Sequence, residues 1–269
     1  MSPTPRVRLI GAPTDCHSSF LRGAAAAPPL IRAALHSGHS NMTAENALEI
    51  GTDILLEDVG DLPLFEAEGD FALIRDAVGS AAAQGAVPLV LGGDHAISFP
   101  ALEAVAAVHG AVDILHFDAH PDLYHDFEGD PHSHASPFAR IMERGLARRL
   151  VQVGIRTLNR HCREQADRFG VEIVEMRNFA SERVPIPDGP LYISIDLDGF
   201  DLAVAPGVSH HEPGGMTARE LLQVLSRVGV RVVGADVVEY NPLRDINGVT
   251  AVLAAKLVKE VASLAGGRR

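Results

Sequence analysis

The stretch Ile114-Leu115-His116-Phe117-Asp118-Ala119-His120-Pro121-Asp122 joins a short apolar run to three residues of metal-binding type. A short apolar run bounded by polar residues is typical of a strand that is buried on both faces of a parallel sheet. Side chains at positions i and i+2 of an extended segment point the same way. We therefore expect Asp118, His120 and Asp122 to point together from the end of this strand.

The same organisation recurs along the chain, where further short apolar runs predict strands at Val7–Gly11, Val87–Leu91, Leu150–Val153, Val171–Val174, Tyr192–Ile195 and Val230–Ala235. Amphipathic stretches between these runs predict helices at Pro29–His36, Gly69–Gln84, Ile97–His109, Ser136–Arg144, Arg160–Arg168, Thr217–Val228 and Thr250–Ala265. This alternation predicts an α/β fold, a three-layer α/β/α architecture with a mainly parallel central sheet. The segment Ser37–Glu68 has little periodicity, and we expect it to be irregular.

Length and composition favour one domain over residues 1–269, with residues 1–5 disordered. The formal charge of −12 argues against nucleic-acid binding, which needs a surface rich in lysine and arginine. No apolar run approaches the ~18 residues of a membrane span. Cys16 and Cys162 form neither a disulfide framework nor a CxxC site, and the N-terminus lacks the apolar core of a signal peptide. These features predict a cytoplasmic protein that binds neither nucleic acid nor membranes.

Polar side chains also follow several of the other predicted strands. His95 comes after Val87–Leu91, Asp196 and Asp198 come at the end of the run that starts at Tyr192, and Glu239 follows the last predicted strand. Ligands of open α/β sheets bind outside the carboxyl ends of the strands. We therefore expect these side chains to meet at one edge of the sheet.

Four carboxylates in one pocket repel one another, and a divalent cation would offset that repulsion. Six side chains with four negative charges suit two cations: His95, Asp118, His120, Asp122, Asp196 and Asp198. A mixture of carboxylate oxygens and two imidazoles, without cysteine, favours Mn²⁺ over zinc, although zinc, nickel or cobalt could occupy the site in vitro. Such a site predicts hydrolysis, because bound cations make a water molecule more acidic.

Three motifs in this order resemble those of the ureohydrolase family of arginases and agmatinases. They are Gly92-Gly93-Asp94-His95, Asp118-Ala119-His120-Pro121-Asp122, and Ser194-Ile195-Asp196-Leu197-Asp198 followed by Asp201. The resemblance covers nearly the whole chain. It is closest to the plant-type arginases, through residues 118–140, through Gly207-Val208-Ser209-His210 with Pro213-Gly214-Gly215, and through Val237-Val238-Glu239-Tyr240-Asn241-Pro242.

The resemblance implies a ligand set for each of two manganese ions per subunit. One ion would be held by His95, Asp118, Asp122 and Asp196. The other would be held by Asp118, His120, Asp196 and Asp198. Asp118 and Asp196 would then bridge the two ions.

The resemblance also implies roles for residues around the metals. Glu239 would bind the guanidinium group of a small cationic substrate, although an ion pair with Arg244 is a simpler role for it. His134 would carry a proton to the leaving amine, with His132 as the competing residue, and Asp122 would act in catalysis beside them. Tyr124 and Asn159 occupy the places where animal-type arginases bind the α-carboxylate and the α-amino group.

The predicted function is hydrolysis of L-arginine to urea and ornithine by a homotrimer or homohexamer. Agmatine, which gives putrescine, is the second choice of substrate, and a guanidino acid is the third. Two other classes remain open: a zinc deacetylase of related fold with one metal ion, and a non-catalytic oligomer that is stabilised by metal.

Four further residues receive structural interpretations. We expect His116 to be a core histidine, Asp94 to orient a ligand, and Asp201 to shape its loop. The chain departs from the family motifs at Ala96, where serine is usual, and at Leu202, where proline is usual. We expect a mild effect from the first departure and a change of loop shape from the second.

Overall fold

The computed structural model describes residues 4–67 and 69–266, and in it strands and helices alternate along the chain. The strands are β1 Arg6–Ala12, β2 Leu55–Asp61, β3 Val87–Gly92, β4 Val112–Phe117, β5 Ala147–Ile155, β6 Glu172–Glu175, β7 Leu191–Asp196 and β8 Val232–Val238. The helices are α1 Ala27–Leu35, α2 Asp70–Ala83, α3 Ser98–His109, α4 Pro137–Glu143, α5 Arg160–Phe169, α6 Ala218–Leu225 and α7 Val249–Leu264.

All eight strands are parallel and form one sheet in the order β2-β1-β3-β8-β7-β4-β5-β6. The four strands whose ends carry the predicted ligands and Glu239, β3, β8, β7 and β4, are neighbours at the centre of this sheet. Because all strands run the same way, their carboxyl ends lie at one edge. The sheet therefore brings together side chains that are up to 144 residues apart in sequence.

Two apolar cores, one on each face of the sheet, explain why the strands are apolar on both sides. Along β1, for example, Leu9 belongs to the core that includes residues of α1, α6 and α7, whereas Ile10 belongs to the core that includes residues of α2, α3 and α4. Alternate residues of a strand face opposite sides. The predicted three-layer α/β/α fold is confirmed.

The segment Ser37–Glu68 contains a strand that we did not predict. β2 lies at one edge of the sheet and pairs only with β1. Most of its side chains are exposed or half-buried and three are acids, so it has no apolar run to indicate a strand. Ion pairs stabilise it instead: Arg8 pairs with Glu57, and Arg32 pairs with Asp58. Glu68 itself lies outside the described residues.

The seven predicted helices are present with shifted ends. α1 begins two residues earlier than predicted because Pro28 and Pro29 stand in its first turn, where a missing N–H costs no hydrogen bond. α6 begins after Thr217, whose side chain accepts a hydrogen bond from the Glu220 N–H while Glu220 accepts one from the Thr217 N–H. This capping box explains why the helix begins there.

No helix within the described part of the chain is long and apolar enough to cross a membrane. Residues 1–3 of the N-terminal segment that we expected to be disordered lie outside the described residues. Pro5 of that segment accepts a hydrogen bond from the Leu55 N–H. The division of the chain into one domain stays a prediction.

Candidate metal centre

One imidazole nitrogen lies among three carboxylates at the carboxyl edge of the sheet. The Nδ1 atom of His95 is 3.2 Å from Asp118 Oδ2, 3.0 Å from Asp122 Oδ2 and 3.1 Å from Asp196 Oδ2. All four side chains are buried. Despite these short distances, Nδ1 makes no hydrogen bond of acceptable geometry.

A second imidazole nitrogen faces two carboxylates next to the first group. His120 Nδ1 is 3.1 Å from Asp198 Oδ2 and 3.4 Å from Asp118 Oδ1. Asp118 therefore faces both imidazoles, one with each carboxylate oxygen. His120 is the most exposed of the six predicted ligands, with a quarter of its side chain accessible, and its Nε2 atom is 3.9 Å from Glu212 Oε1.

Burial and mutual repulsion perturb the acids of this group. Burial, together with the charges of Asp198 and Asp118, holds the pKa of Asp196 well above its ordinary value. Burial raises the pKa of Asp198 to about 6, although the charge of His120 opposes the change. At Asp118, burial is outweighed by hydrogen bonds from histidines including His116, so its pKa lies well below the ordinary value. The site lacks enough positive charge to ionise every acid comfortably.

A buried network behind His95 determines which of its nitrogens faces the carboxylates. Asp236, in β8, accepts hydrogen bonds from the hydroxyls of Ser98, Tyr192 and Ser194, at 2.7, 2.8 and 2.6 Å. Because the Ser194 hydroxyl donates to Asp236, its oxygen is the acceptor for His95 Nε2–H at 2.9 Å. The Nδ1 atom is then left to bind whatever positive charge lies among the carboxylates, a proton or a cation.

Glu239 and His134 form a pair beside the carboxylates. Glu239 Oε1 accepts hydrogen bonds from the His95 N–H and from His134 Nδ1, both at 2.9 Å, while its Oε2 is buried and has no hydrogen-bond partner. Burial lowers the pKa of His134, but the hydrogen bond and charge of Glu239 outweigh burial and raise it to about 9. His134 Nε2 lies 2.9 Å from the hydroxyl of Ser19. Glu239 forms no ion pair with Arg244 in the described chain.

Two of these side chains stand on strained backbone. Asp122 has φ 48° and Glu239 has φ 62°, in the left-handed region that residues other than glycine rarely adopt. Such strain concentrates at functional sites, where the surroundings hold it in place. Here the Glu239 N–H bonds to the Gly93 carbonyl at 2.8 Å. Gly93 packs so closely on Thr14 that a Cβ atom would lie 1.8 Å from the Thr14 carbonyl oxygen.

A cavity of about 220 Å³ opens onto these groups. Its walls combine predicted ligands, the Glu239–His134 pair and loop residues, including Ser19, Tyr124, Phe127, Thr157, Cys162, His210 and Glu212. A larger cavity of about 430 Å³ lies elsewhere, between α6, α7 and residues 45–48, and no predicted site residue lines it.

The two residues predicted to bind the far end of the substrate occupy different positions. Tyr124 lines the cavity, whereas Asn159 does not. Asn159 Oδ1 caps α5 by accepting from the Cys162 N–H at 2.9 Å, and its Nδ2 donates to the Tyr124 hydroxyl. Asn159 therefore contacts Tyr124 and the start of α5, so any effect of Asn159 on a ligand in this cavity acts through Tyr124.

The remaining histidines and acids separate clearly. His132 lies away from the cavity, stacked on Phe99 and edge-on to Phe71. Asp94 accepts hydrogen bonds from the N–H groups of His17 and Ala96, so it shapes backbone rather than orienting a ligand side chain directly. Asp201 accepts from the N–H groups of Ala203 and Gly214, in line with its predicted part in the loop.

Four residues at the site were missed from the sequence: Ser19, Ser194, His210 and Asp236. Ser194 and Asp236 are polar residues inside buried strands, and Ser194 comes two positions before a predicted ligand. That combination is the signal that could have indicated them. Ser19 reaches His134 from a loop that is 115 residues away in sequence, which no local pattern predicts.

Comparison with known proteins agrees with this fold and this site. The Arginase family model matches residues 5–263. The mitochondrial arginase of Medicago truncatula is 50% identical over 95% of this chain and 80% of its own length, and arginase 1, mitochondrial, of Arabidopsis thaliana is 49% identical over the same shares. The mitochondrial agmatinase of Gallus gallus is 35% identical over 94% of this chain and 79% of its own length. The solved arginase structure from Medicago truncatula superposes with a TM-score of 0.92 at 46% identity, covering 97% of this chain and 88% of that one.

The same comparison contradicts one prediction. We expected a cytoplasmic protein, yet these relatives are named mitochondrial, so the cytoplasmic location is wrong. The inference depended on free cysteines and on the absence of a signal-peptide pattern. Those features exclude a disulfide-bonded scaffold and do not distinguish one reducing compartment from another.

The predicted resemblance is confirmed by the family match, by relatives at about half identity and by the solved structure. The protein is a hydrolase of the class that acts on guanidino C–N bonds, and it belongs to the arginase family.

Proposed function

We propose that the protein hydrolyses L-arginine to urea and L-ornithine at a pair of Mn²⁺ ions. The observation that carries this proposal is the arrangement of two imidazole nitrogens, from His95 and His120, that face carboxylate oxygens on the two sides of Asp118. The identity of 50% with a plant arginase, against 35% with an agmatinase, supports arginine as the substrate.

The residues present fit a divalent cation. His95 Nδ1 is a buried nitrogen without a hydrogen-bond partner, although three carboxylate oxygens lie within 3.2 Å of it. A cation among these atoms would satisfy the nitrogen and offset the repulsion that raises the pKa of Asp196. Oxygen ligands with two imidazoles and no sulfur suit Mn²⁺. Two closely spaced groups of atoms, which share Asp118, support two ions per chain.

In this proposal Asp118 and Asp196 serve both ions, with His95 and Asp122 completing one set and His120 and Asp198 the other. When bound, the ions would lower the pKa of a water molecule and so provide the nucleophile for hydrolysis. The part of the protein is to hold the six side chains in place and to position the substrate beside them.

Glu239 supplies the group that would hold the guanidinium. Its Oε2 atom is buried, has no hydrogen-bond partner and belongs to a side chain that lines the cavity. A planar guanidinium donates paired hydrogen bonds to a carboxylate, which fixes its orientation as well as its position. Burial raises the pKa of Glu239, but the hydrogen bond and charge of His134 outweigh burial and lower it. Glu239 is therefore a carboxylate at neutral pH.

His134 is placed to donate a proton to the amine that leaves. Its pKa of about 9 makes it an imidazolium at neutral pH. Glu239 orients the ring through Nδ1, and Ser19 contacts Nε2. A positioned acid of this kind typically accelerates a reaction by about 10²–10⁴-fold. The position of His132 outside the cavity favours His134 over it as the proton carrier.

Tyr124 supports a substrate with a carboxylate at its far end. The Tyr124 oxygen accepts a hydrogen bond from Asn159, so its own O–H is free to donate into the cavity. Arginine and guanidino acids have a carboxylate that could accept this bond, whereas agmatine has none. A homotrimer or homohexamer, which the family resemblance implies, stays a prediction.

Manganese should stabilise the folded protein, and more strongly at higher pH. A free ion concentration 1,000 times Kd adds about 4 kcal/mol to the free energy of unfolding. Below pH 6 protons compete for Asp198, whose pKa is about 6 in the metal-free protein. Differential scanning fluorimetry of EDTA-stripped protein should show a larger rise in Tm with MnCl₂ at pH 8 than at pH 5.5. Asp118→Asn should lose most of the rise, and the exposed Asp126→Asn should retain it; equal rises in both variants would contradict the site.

The substrate is tested by urea release from Mn²⁺-loaded protein. L-Arginine should give the highest kcat/KM among arginine, agmatine, 4-guanidinobutyrate and guanidine, and elemental analysis should find two manganese ions per chain. Urea from agmatine alone would change the assignment to an agmatinase. Retained metal without urea from any substrate would favour the non-catalytic reading.

Replacement of the proton donor should lower turnover and leave metal binding intact. His134→Asn removes the imidazolium without altering a proposed ligand, so kcat should fall by ~10² or more at unchanged manganese content. His132→Asn is the matched control, because its ring packs on phenylalanines outside the cavity. The reverse pattern, with loss only in the control, would make His132 the proton carrier.

Removal of the tyrosine hydroxyl should separate arginine from agmatine. A hydrogen bond to a charged group contributes about 1.5–3 kcal/mol, so kcat/KM of Tyr124→Phe for arginine should fall at least about tenfold. The value for agmatine, which lacks the carboxylate, should stay within a factor of about two. An equal loss on both substrates would show that Tyr124 serves the cavity wall and does not recognise the carboxylate.

A further inference from the structure

We infer that His116 and Gln152 are positioning residues that hold the shared carboxylate of Asp118 in the orientation needed to serve two cations. The inference rests on the metal site proposed above. It assigns a function to a strand histidine that the sequence marks only as a core residue, and to a buried glutamine with no assigned role.

His116 and Gln152 belong to a polar row that crosses the centre of the sheet. Strand register pairs Gln152 of β5 with His116 of β4, His116 with Ser194 of β7, and Ser194 with Asp236 of β8. None of these four side chains is accessible to solvent. The row lies two residues before Asp118 and Asp196 on their strands, so it forms the layer directly beneath these ligands.

The orientation of the Gln152 amide follows from its neighbours. One amide atom lies 2.6 Å from the carbonyl oxygen of Pro121, which can only accept a hydrogen bond, so this atom is the nitrogen Nε2. The same nitrogen lies 3.1 Å from His116 Nδ1. Its second N–H therefore donates to His116 Nδ1, which must be an unprotonated acceptor.

This hydrogen bond determines the tautomer of His116. With Nδ1 unprotonated, the ring proton is on Nε2, and this N–H donates to Asp118 Oδ2 at 2.9 Å. The ring is held on both sides, since it stacks on Phe138 with centroids 4.0 Å apart and meets His95 edge-on at 5.0 Å. His116 thus has no free lone pair for a cation, although its nitrogen lies within 4.8 Å of ligand atoms of His95 and Asp118.

The consequence for Asp118 is that each of its oxygens receives one fixed donor. Oδ2 accepts from His116, and Oδ1 accepts from the N–H of His120 at 2.6 Å. These bonds determine the plane of the carboxylate and direct its remaining lone pairs towards His95 and His120. A carboxylate that serves two cations needs this restraint more than one that serves a single cation, because rotation would weaken both.

The experiment compares variants of His116 by Mn²⁺ titration calorimetry on EDTA-stripped protein. Loss of a hydrogen-bond partner to a ligand typically weakens metal binding by about 10–100-fold. His116→Phe, which keeps the ring stack, should weaken both ions by this factor, and His116→Gln, which keeps an N–H donor, should stay within about threefold of the parent. The exposed His39→Phe serves as the control and should bind as the parent does.

Two results of the titration would overturn the inference. Unchanged affinity in His116→Phe would show that the hydrogen bond to Asp118 has no effect. Loss of one ion, with the other unaffected, would show that His116 is itself a ligand. The Tm of each metal-free variant identifies any that fails to fold, and the titration uses no substrate, so failure of the urea assay leaves its outcome distinct.

A spectroscopic test reads the tautomer directly and does not depend on metal. Side-chain ¹H–¹⁵N correlation spectra of metal-free, histidine-labelled protein should show the His116 proton on Nε2, with the signal assigned through His116→Gln. Gln152→Glu replaces the donor by an acceptor and should move a proton to Nδ1. A proton on Nδ1 in the parent, or an unchanged spectrum in Gln152→Glu, would overturn the assignment to Gln152.

Discussion

The repulsion among four buried carboxylates is the constraint on which the rest of this site depends. Two like charges 4 Å apart repel by about 4 kcal/mol at an effective dielectric constant of 20, so several such pairs rival the whole stability of a domain. The structure answers this with hydrogen-bond donors around Asp118 and with two imidazoles, yet the pKa of Asp196 stays well above its ordinary value. The remaining deficit of positive charge is the physical reason to place cations here.

The parallel sheet lets the protein build this site in two layers with the same strands. Residues at the strand ends contribute carboxylates, and residues two positions earlier, on the same face, supply hydrogen bonds to them from below. The Asp236–Ser194 pair determines which nitrogen of His95 faces the acids, and the Gln152–His116 pair holds Asp118. Because every member of the lower layer is buried and paired along strand register, the upper layer stays in place when its own charges repel.

Sequence reasoning predicted the parts of this protein that repeat with a short period. Apolar runs identified seven of eight strands, and the i, i+2 spacing of Asp118, His120 and Asp122 identified the ligand edge. The strand β2 escaped because ion pairs stabilise it at an exposed edge. Contacts between distant segments escaped as well. Nothing local in the sequence indicates that Ser19 meets His134, that Asn159 caps a helix rather than facing the cavity, or that Glu239 adopts a left-handed backbone.

The two ends of the cavity are therefore built on different principles. The metal end stands on the central strands, where a shift of one residue in register would turn a ligand away from the site. The far end is built from loops and from the start of α5, through Tyr124, Asn159 and His210. Loops accept substitutions that strands do not. A chain of this family can consequently keep one hydrolytic reaction while its substrate changes, and the free hydroxyl of Tyr124 is the feature of the far end that favours a substrate with a carboxylate.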